Sequence, residues 1–166
     1  MLHTVPHPSY PVFAIGNEGI LKLPDKLAIF CSRRCPGTTV RKVYDLAYSL
    51  RAENRTIIGG FQTPMEKECL RVFLNSSQNI IFCPARSIEE MRIPKALRAP
   101  LENGRILLLA AFHRSITRAS AETAESRNRF AAGLADEILF AHAAPGSSTE
   151  RFKEELCLSG RTVITL

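Results

Sequence analysis

Short, unbroken apolar runs alternate along this chain with segments of helical periodicity, and no other feature restricts its topology as strongly. Leu27 to Phe30, Thr56 to Ile58, Asn79 to Cys83, Arg105 to Ala111, Glu137 to Ala141 and Thr162 to Thr165 read as strands. Between the first two, Val40, Val43, Tyr44, Leu46, Ala47 and Leu50 recur at helical spacing. A second helix begins near Thr63 and places Met65, Cys69, Leu70, Phe73 and Leu74 on its apolar side. A third begins between Thr117 and Ala121 and runs through Arg127 to Leu134, and a last one spans about Ser148 to Leu158, before Gly160. Only the stretch through Arg92, Pro94, Arg98 and Pro100 breaks the pattern, as a proline- and arginine-rich connection.

Strands that are apolar on both faces need cover on both sides, and strand-helix-strand crossovers run parallel and right-handed. The expected fold is therefore α/β, a Rossmann-like three-layer sandwich with a mostly parallel sheet of about six strands and helices on both faces. The 166 residues suit one hydrophobic core. We expect a single domain over residues 26–166, preceded by an extended lead-in over 1–25. There Pro6, Pro8, Pro11 and Pro24 punctuate a candidate short strand at Val12 to Ile15. The run Ile106 to Phe112 falls far short of the ~20 residues that cross a bilayer, and the start of the chain lacks the basic-then-apolar pattern of a signal peptide. The expectation is a cytoplasmic protein with no membrane contact.

Net charge is +6, and 16 of the 22 basic residues are arginine, whose planar fork suits bidentate phosphate binding. Three loops should meet at the carboxyl end of the sheet: Cys31 to Gly37, Gly59 to Thr63, and Ala144 to Thr149. Arg33 and Arg34 directly follow the first strand, where a phosphate would meet the next helix. Gly59 and Gly60 either admit close backbone approach or turn the chain. Gly146 and Ser147 offer bare amides to an anion. Thr63-Pro64-Met65-Glu66 and Ser147-Ser148-Thr149-Glu150 have the form of capping boxes, which assigns Glu66 and Glu150 to structure. Arg127 shares a helix face with Phe130, Ala131 and Leu134, so its charge needs a partner, either a carboxylate such as Glu122 or Asp136 or a bound phosphate.

Catalytic patterns are thin. Neither Gly-x-Gly-x-x-Gly nor a Walker A loop, a Gly-x-Ser-x-Gly elbow or His-Glu-x-x-His is present, and no catalytic residue or cofactor is expected. His113 and His142 end strands on the loop side. The cysteines Cys31, Cys35, Cys69, Cys83 and Cys157 form no Cys-x-x-Cys pair and read as reduced, small apolar residues. A metal site from Cys31, Cys35 and a histidine lacks recognisable ligand spacing, so none is expected.

Several segments together resemble the DNA-processing protein A family: Pro11 to Asn17, Leu27 to Arg33, Thr56 to Gly60, and Arg127 to Asp136. The resemblance covers nearly the whole chain in order and approximate spacing. It implies a dimerising Rossmann-like domain that binds single-stranded DNA in a basic pocket and helps load a RecA-type recombinase. Carried over, Ser32 and Arg33 match the family's Gly-Ser-Arg with Cys31 in place of its glycine, Arg127, Asn128 and Arg129 match its Arg-Asn-Arg, and Gly146 and Ser147 match its Gly-Ser. With Arg34, Gly59, Gly60, Ser148 and Thr149 these make up the candidate site for single-stranded DNA or a nucleotide phosphate. The family's Gly-Ile-Asp after the second strand is replaced by Phe61-Gln62-Thr63-Pro64. A second resemblance supplies the alternative, a nucleotide-hydrolysing enzyme. Pro145 to Thr149 echoes the Pro-Gly-Gly-x-Gly-Thr-x-x-Glu signature of cytokinin-activating phosphoribohydrolases, but Phe152 stands where its glutamate belongs.

Overall fold

The computed structural model describes residues 1–7 and 9–166; Pro8, one of the lead-in prolines, lies outside them. Eight strands form one sheet in the order β1-β2-β6-β5-β4-β3-β7-β8. Six are parallel: β3 (Lys26–Cys31), β4 (Thr56–Gly59), β5 (Ile80–Phe82), β6 (Ile106–Ala110), β7 (Glu137–His142) and β8 (Val163–Thr165). These are the strands read from the apolar runs. The other two, β1 (Leu2–Val5) and β2 (Val12–Gly16), form an antiparallel hairpin that extends one edge through β2 against β6. The sheet is thus larger than the expected six strands, and the lead-in is tied to it. β2 is visible in sequence because Val12 and Ala14 are buried, whereas β1 has no fully buried residue and pairs with β2 alone among the described residues.

Alternate residues of each parallel strand feed opposite cores, as the pleat requires. Leu27, Ile29 and Cys31 of β3 pack with Val43, Ala47 and Leu50 of α1 (Gly37–Arg51), with Met65, Cys69 and Phe73 of α2 (Pro64–Leu74) and with Leu97 of α3 (Lys95–Glu102). Ala28 and Phe30 face Ala131 and Ala132 of α4 (Ala121–Leu134) and Phe152 and Leu156 of α5 (Ser148–Leu158). Phe152 meets the Phe30 and Phe140 rings at centroid distances of 5.3 and 6.0 Å, so the position that the hydrolase signature gives to glutamate belongs to the core.

The proline- and arginine-rich connection contains α3, which periodicity did not reveal. Pro100 lies inside it and removes one backbone donor, but Leu97 and Pro100 are both buried, so packing overrides the poor propensity. Among the described residues no helix is long and apolar enough to cross a membrane.

Strand order places the site. From β3 the chain winds outward through β4, β5 and β6, then α4 carries it back across to β7 on the other side of β3. The loops after β3 and β7 therefore leave neighbouring strands in opposite directions, which opens a crevice at their carboxyl ends.

Candidate functional site

The three expected loops do converge. Ser32, buried at the end of β3, donates its backbone N–H to His142 O (2.8 Å) and accepts the Ala144 N–H on Oγ (2.8 Å), while its Oγ lies 3.3 Å from Ser147 Oγ. Its hydroxyl therefore laces the β3 and β7 loops together. Glu66 does the same for the β4 loop. The Thr63–Glu66 capping box is present, with Glu66 Oε2 accepting the amides of Gln62 (2.9 Å) and Thr63 (3.2 Å). Its Oε1 accepts the Cys31 amide at 3.0 Å. A buried carboxylate that accepts three amides is a strong local constraint.

Arg127 is the centre of this framework and is only 4 % exposed. Among the described residues neither Glu122 nor Asp136 nor any other carboxylate pairs with it. Nη1 donates to Cys83 O (3.0 Å), Nη2 to Gln62 Oε1 (3.0 Å) and Nε to Asn128 Oδ1 (2.7 Å), so neutral oxygens receive all three bonds. Burial pushes the guanidinium below its ordinary pKa, and the nearby Glu66 carboxylate opposes that shift. The ring of contacts explains Gly60. A Cβ there would lie 1.6 Å from Arg127 Nη1, so close backbone approach is the reason for glycine. Next to it Phe61 is buried at φ 46°, a left-handed conformation that is unfavourable for an aromatic residue. Gly59 meets the Phe61 ring, at 3.0 Å from a built Cβ.

A cleft of about 430 Å³ opens above Arg127, lined among others by Phe30, Arg33, Gln62, Ser120, Asn128 and Thr149. Arg33 and Arg34 are exposed and, among the described residues, form no ion pair. Arg33 reaches the cleft, but Arg34 is not part of its wall. Arg129 points elsewhere, held by Glu155 at 2.8 Å and Glu125 at 3.9 Å beside a smaller depression between α4 and α5.

The amide expectation at the β7 loop needs correction. Gly146 N donates to Glu150 Oε2 (2.6 Å) and Ser147 N to Ala144 O (3.1 Å), so neither amide is bare. Gly146 adopts φ 72°, and this turn aims its N–H back at the helix. The box is offset by one residue: Ser147 Oγ accepts the Glu150 amide as expected, but the carboxylate caps Gly146. The amides of Ser148 and Thr149, in the first turn of α5, have no acceptor among the described residues, and both residues line the cleft.

Sequence reasoning missed Gln62 and the wall formed by Ala119, Ser120, Ala121 and Ala124. The small side chains of that wall, at the start of α4, were a legible signal, because bulk there would fill the cleft. Ser120 itself caps α4 through a box with Thr123. All five cysteines are free thiols, and among the described residues no cluster of three or more His, Cys, Asp and Glu is arranged to hold a metal ion.

Charge is distributed unevenly between the two ends of the sheet. At the amino end Lys26 pairs with Asp136 (3.4 Å), and Arg55 pairs with Asp25 (2.8 Å) and Glu137 (2.5 Å). On the carboxyl-end loops Arg33, Arg34, Arg86, Arg114 and Arg118 form no ion pair among the described residues. That edge presents cations without internal neutralisation.

Solved structures share the fold. One is the DNA processing protein A of Helicobacter pylori, described for its single-stranded DNA binding mode, at TM-score 0.79 and 16% identity over 99% of this chain and 80% of that one. Another is DNA processing protein A of Streptococcus pneumoniae, at TM-score 0.75 and 22% identity over 93% of this chain. The present chain covers about half, 54%, of that protein's length. The molybdenum cofactor carrier protein of Chlamydomonas reinhardtii is more distant, at TM-score 0.56 and 9% identity over 86% of this chain and 75% of that one. No curated protein matches the sequence significantly. The model of the family described as DNA recombination-mediator protein A matches residues 1–164, and the chain therefore belongs to that family.

Proposed function

We propose that the carboxyl edge of the sheet binds the phosphate backbone of single-stranded DNA. Arg33 and the Ser148 and Thr149 amides meet phosphate in the cleft, and Arg34 extends the contact outside it. The observation that carries this reading is the pairing of an open cleft of about 430 Å³ with cations on the same edge that have no carboxylate partner among the described residues. Family membership and the likeness to a DNA-binding relative support it. Within the candidate site, Ser32, Gly59, Gly60, Arg127 and Asn128 shape the cleft, and Arg129, Gly146 and Ser147 stand at its margin. Binding requires no covalent chemistry, and Glu150, the carboxylate nearest to the hydrolase signature, is spent on capping Gly146.

Fluorescence anisotropy of a labelled oligothymidylate across a salt series tests the reading. The logarithm of affinity falls with that of salt at a slope of about −0.7 per phosphate contact, and Arg33→Ala reduces the slope by about one contact. An unchanged slope refutes the role of Arg33, and no binding at low salt refutes the function. A homodimer and a RecA-type recombinase are proposed as partners on family grounds. The exposed Ile164 and Leu166 at the β8 edge are a starting point for the first, which light scattering checks.

A further inference from the structure

The outer face of α1 is built like the edge it adjoins. The helix buries Val43, Ala47 and Leu50, and the opposite side exposes Arg41, Lys42, Tyr48 and Arg51. None of these three cations forms an ion pair among the described residues. Asp45 is the single acid of α1, and neighbouring Glu68 is already engaged by Tyr44 Oη (2.6 Å) and Arg71 (2.5 Å). Tyr48 is 56 % exposed, and Arg51 Cζ lies 5.7 Å from its ring centroid. An exposed ring flanked by cations is the arrangement with which proteins stack the bases of single strands and hold their phosphates.

The amino end of α1 adjoins the proposed site, and its last turn, with Tyr48 and Arg51, lies farther along the helix toward the start of β4. Arg33 lines the cleft on the α4–α5 side, Arg34 lies outside it, and the loop enters α1 at Gly37 on the other side of the sheet. The 15 residues of α1 extend the surface by roughly 22 Å.

We propose that a single strand bound in the cleft crosses the Arg33–Arg34 loop and continues along α1, where Tyr48 stacks on a base and Arg41, Lys42 and Arg51 meet phosphates. The inference rests on the proposed function and extends it. The test measures affinity of the full chain for oligothymidylates of about 4 and about 16 nucleotides at low salt. Tyr48→Ala weakens the longer strand about tenfold and leaves the shorter one unchanged, whereas Arg33→Ala weakens both. An Arg41→Ala/Arg51→Ala double variant behaves like Tyr48→Ala and also flattens the salt dependence of the longer strand. Unchanged affinity of Tyr48→Ala for the longer strand, or equal loss for both lengths, overturns the proposal while the cleft reading stands; the face then suits an acidic protein surface instead. Failure of the unsubstituted chain to bind either strand overturns both. Tyr48, Arg41 and Arg51 are exposed, so unaltered thermal unfolding of the variants separates lost contacts from lost structure.

Discussion

Gly60→Ala tests the framework beneath the cleft. Its added methyl carbon would sit 1.6 Å from Arg127 Nη1, 1.9 Å from Cζ and 2.5 Å from Nε, far inside van der Waals contact. Gly60 does not adopt a left-handed conformation, so alanine meets no backbone penalty there and would otherwise stabilise by about 0.5 kcal/mol through the unfolded chain. The whole cost must come from the guanidinium. It escapes only by leaving Cys83 O and Gln62 Oε1, and two hydrogen bonds from a charged donor at about 1.5 kcal/mol each set the loss near 3 kcal/mol. Urea unfolding of four proteins measures it: the unsubstituted chain, Gly60→Ala, Arg127→Ala and the double variant. Without Arg127 the three atoms nearest the methyl are gone, so Gly60→Ala is expected to be neutral or slightly stabilising in that background, with a coupling energy near 3 kcal/mol. Additive losses refute the reasoning, because they place the cost of Gly60→Ala in the backbone or in Phe61.

Glu66→Gln keeps the shape of the side chain but sets an amide NH2 against one of the N–H groups of Cys31, Gln62 and Thr63; we expect about 2 kcal/mol of destabilisation and weaker oligonucleotide binding, read by urea unfolding and anisotropy. Burial pushes the Cys69 and Cys83 thiols up to about 12, so their contribution to stability is full below the unfolded-chain value near 9 and is lost as pH rises toward 12. Urea midpoints measured from pH 8 to pH 10.5 should fall, and Cys83→Ala should show a shallower fall by on the order of 1 kcal/mol per pH unit; parallel slopes contradict it.

Much of the site was legible because it is local. A capping box spans four residues, so Thr63 and Glu66 announced their pairing, and so did Ser147 and the Glu150 amide. The burial of Arg127 followed from helical spacing, whereas the glycine pair left close approach and a simple turn equally open. What approaches Gly60 was not legible, since Arg127 lies 67 positions away and is brought there only by the packing of α4 over β4. The same holds for Cys31 and Glu66, for Arg127 and Gln62, and for the occupation of the Gly146 amide, which depends on a turn geometry that the residue types permit without requiring.

By itself the sequence determined the layered α/β architecture, the apolar runs that become the parallel strands and the edge at which the loops meet, because hydrophobic periodicity and right-handed crossovers leave few alternatives. Tertiary structure alone decided the roles of the arginines. Arg127 became a buried clamp and Arg129 a surface ion pair, whereas Arg33 and Arg34 stay exposed and form no ion pair among the described residues. A guanidinium binds whichever oxygen the fold places within about 3 Å, and that distance is set by residues far apart in the chain.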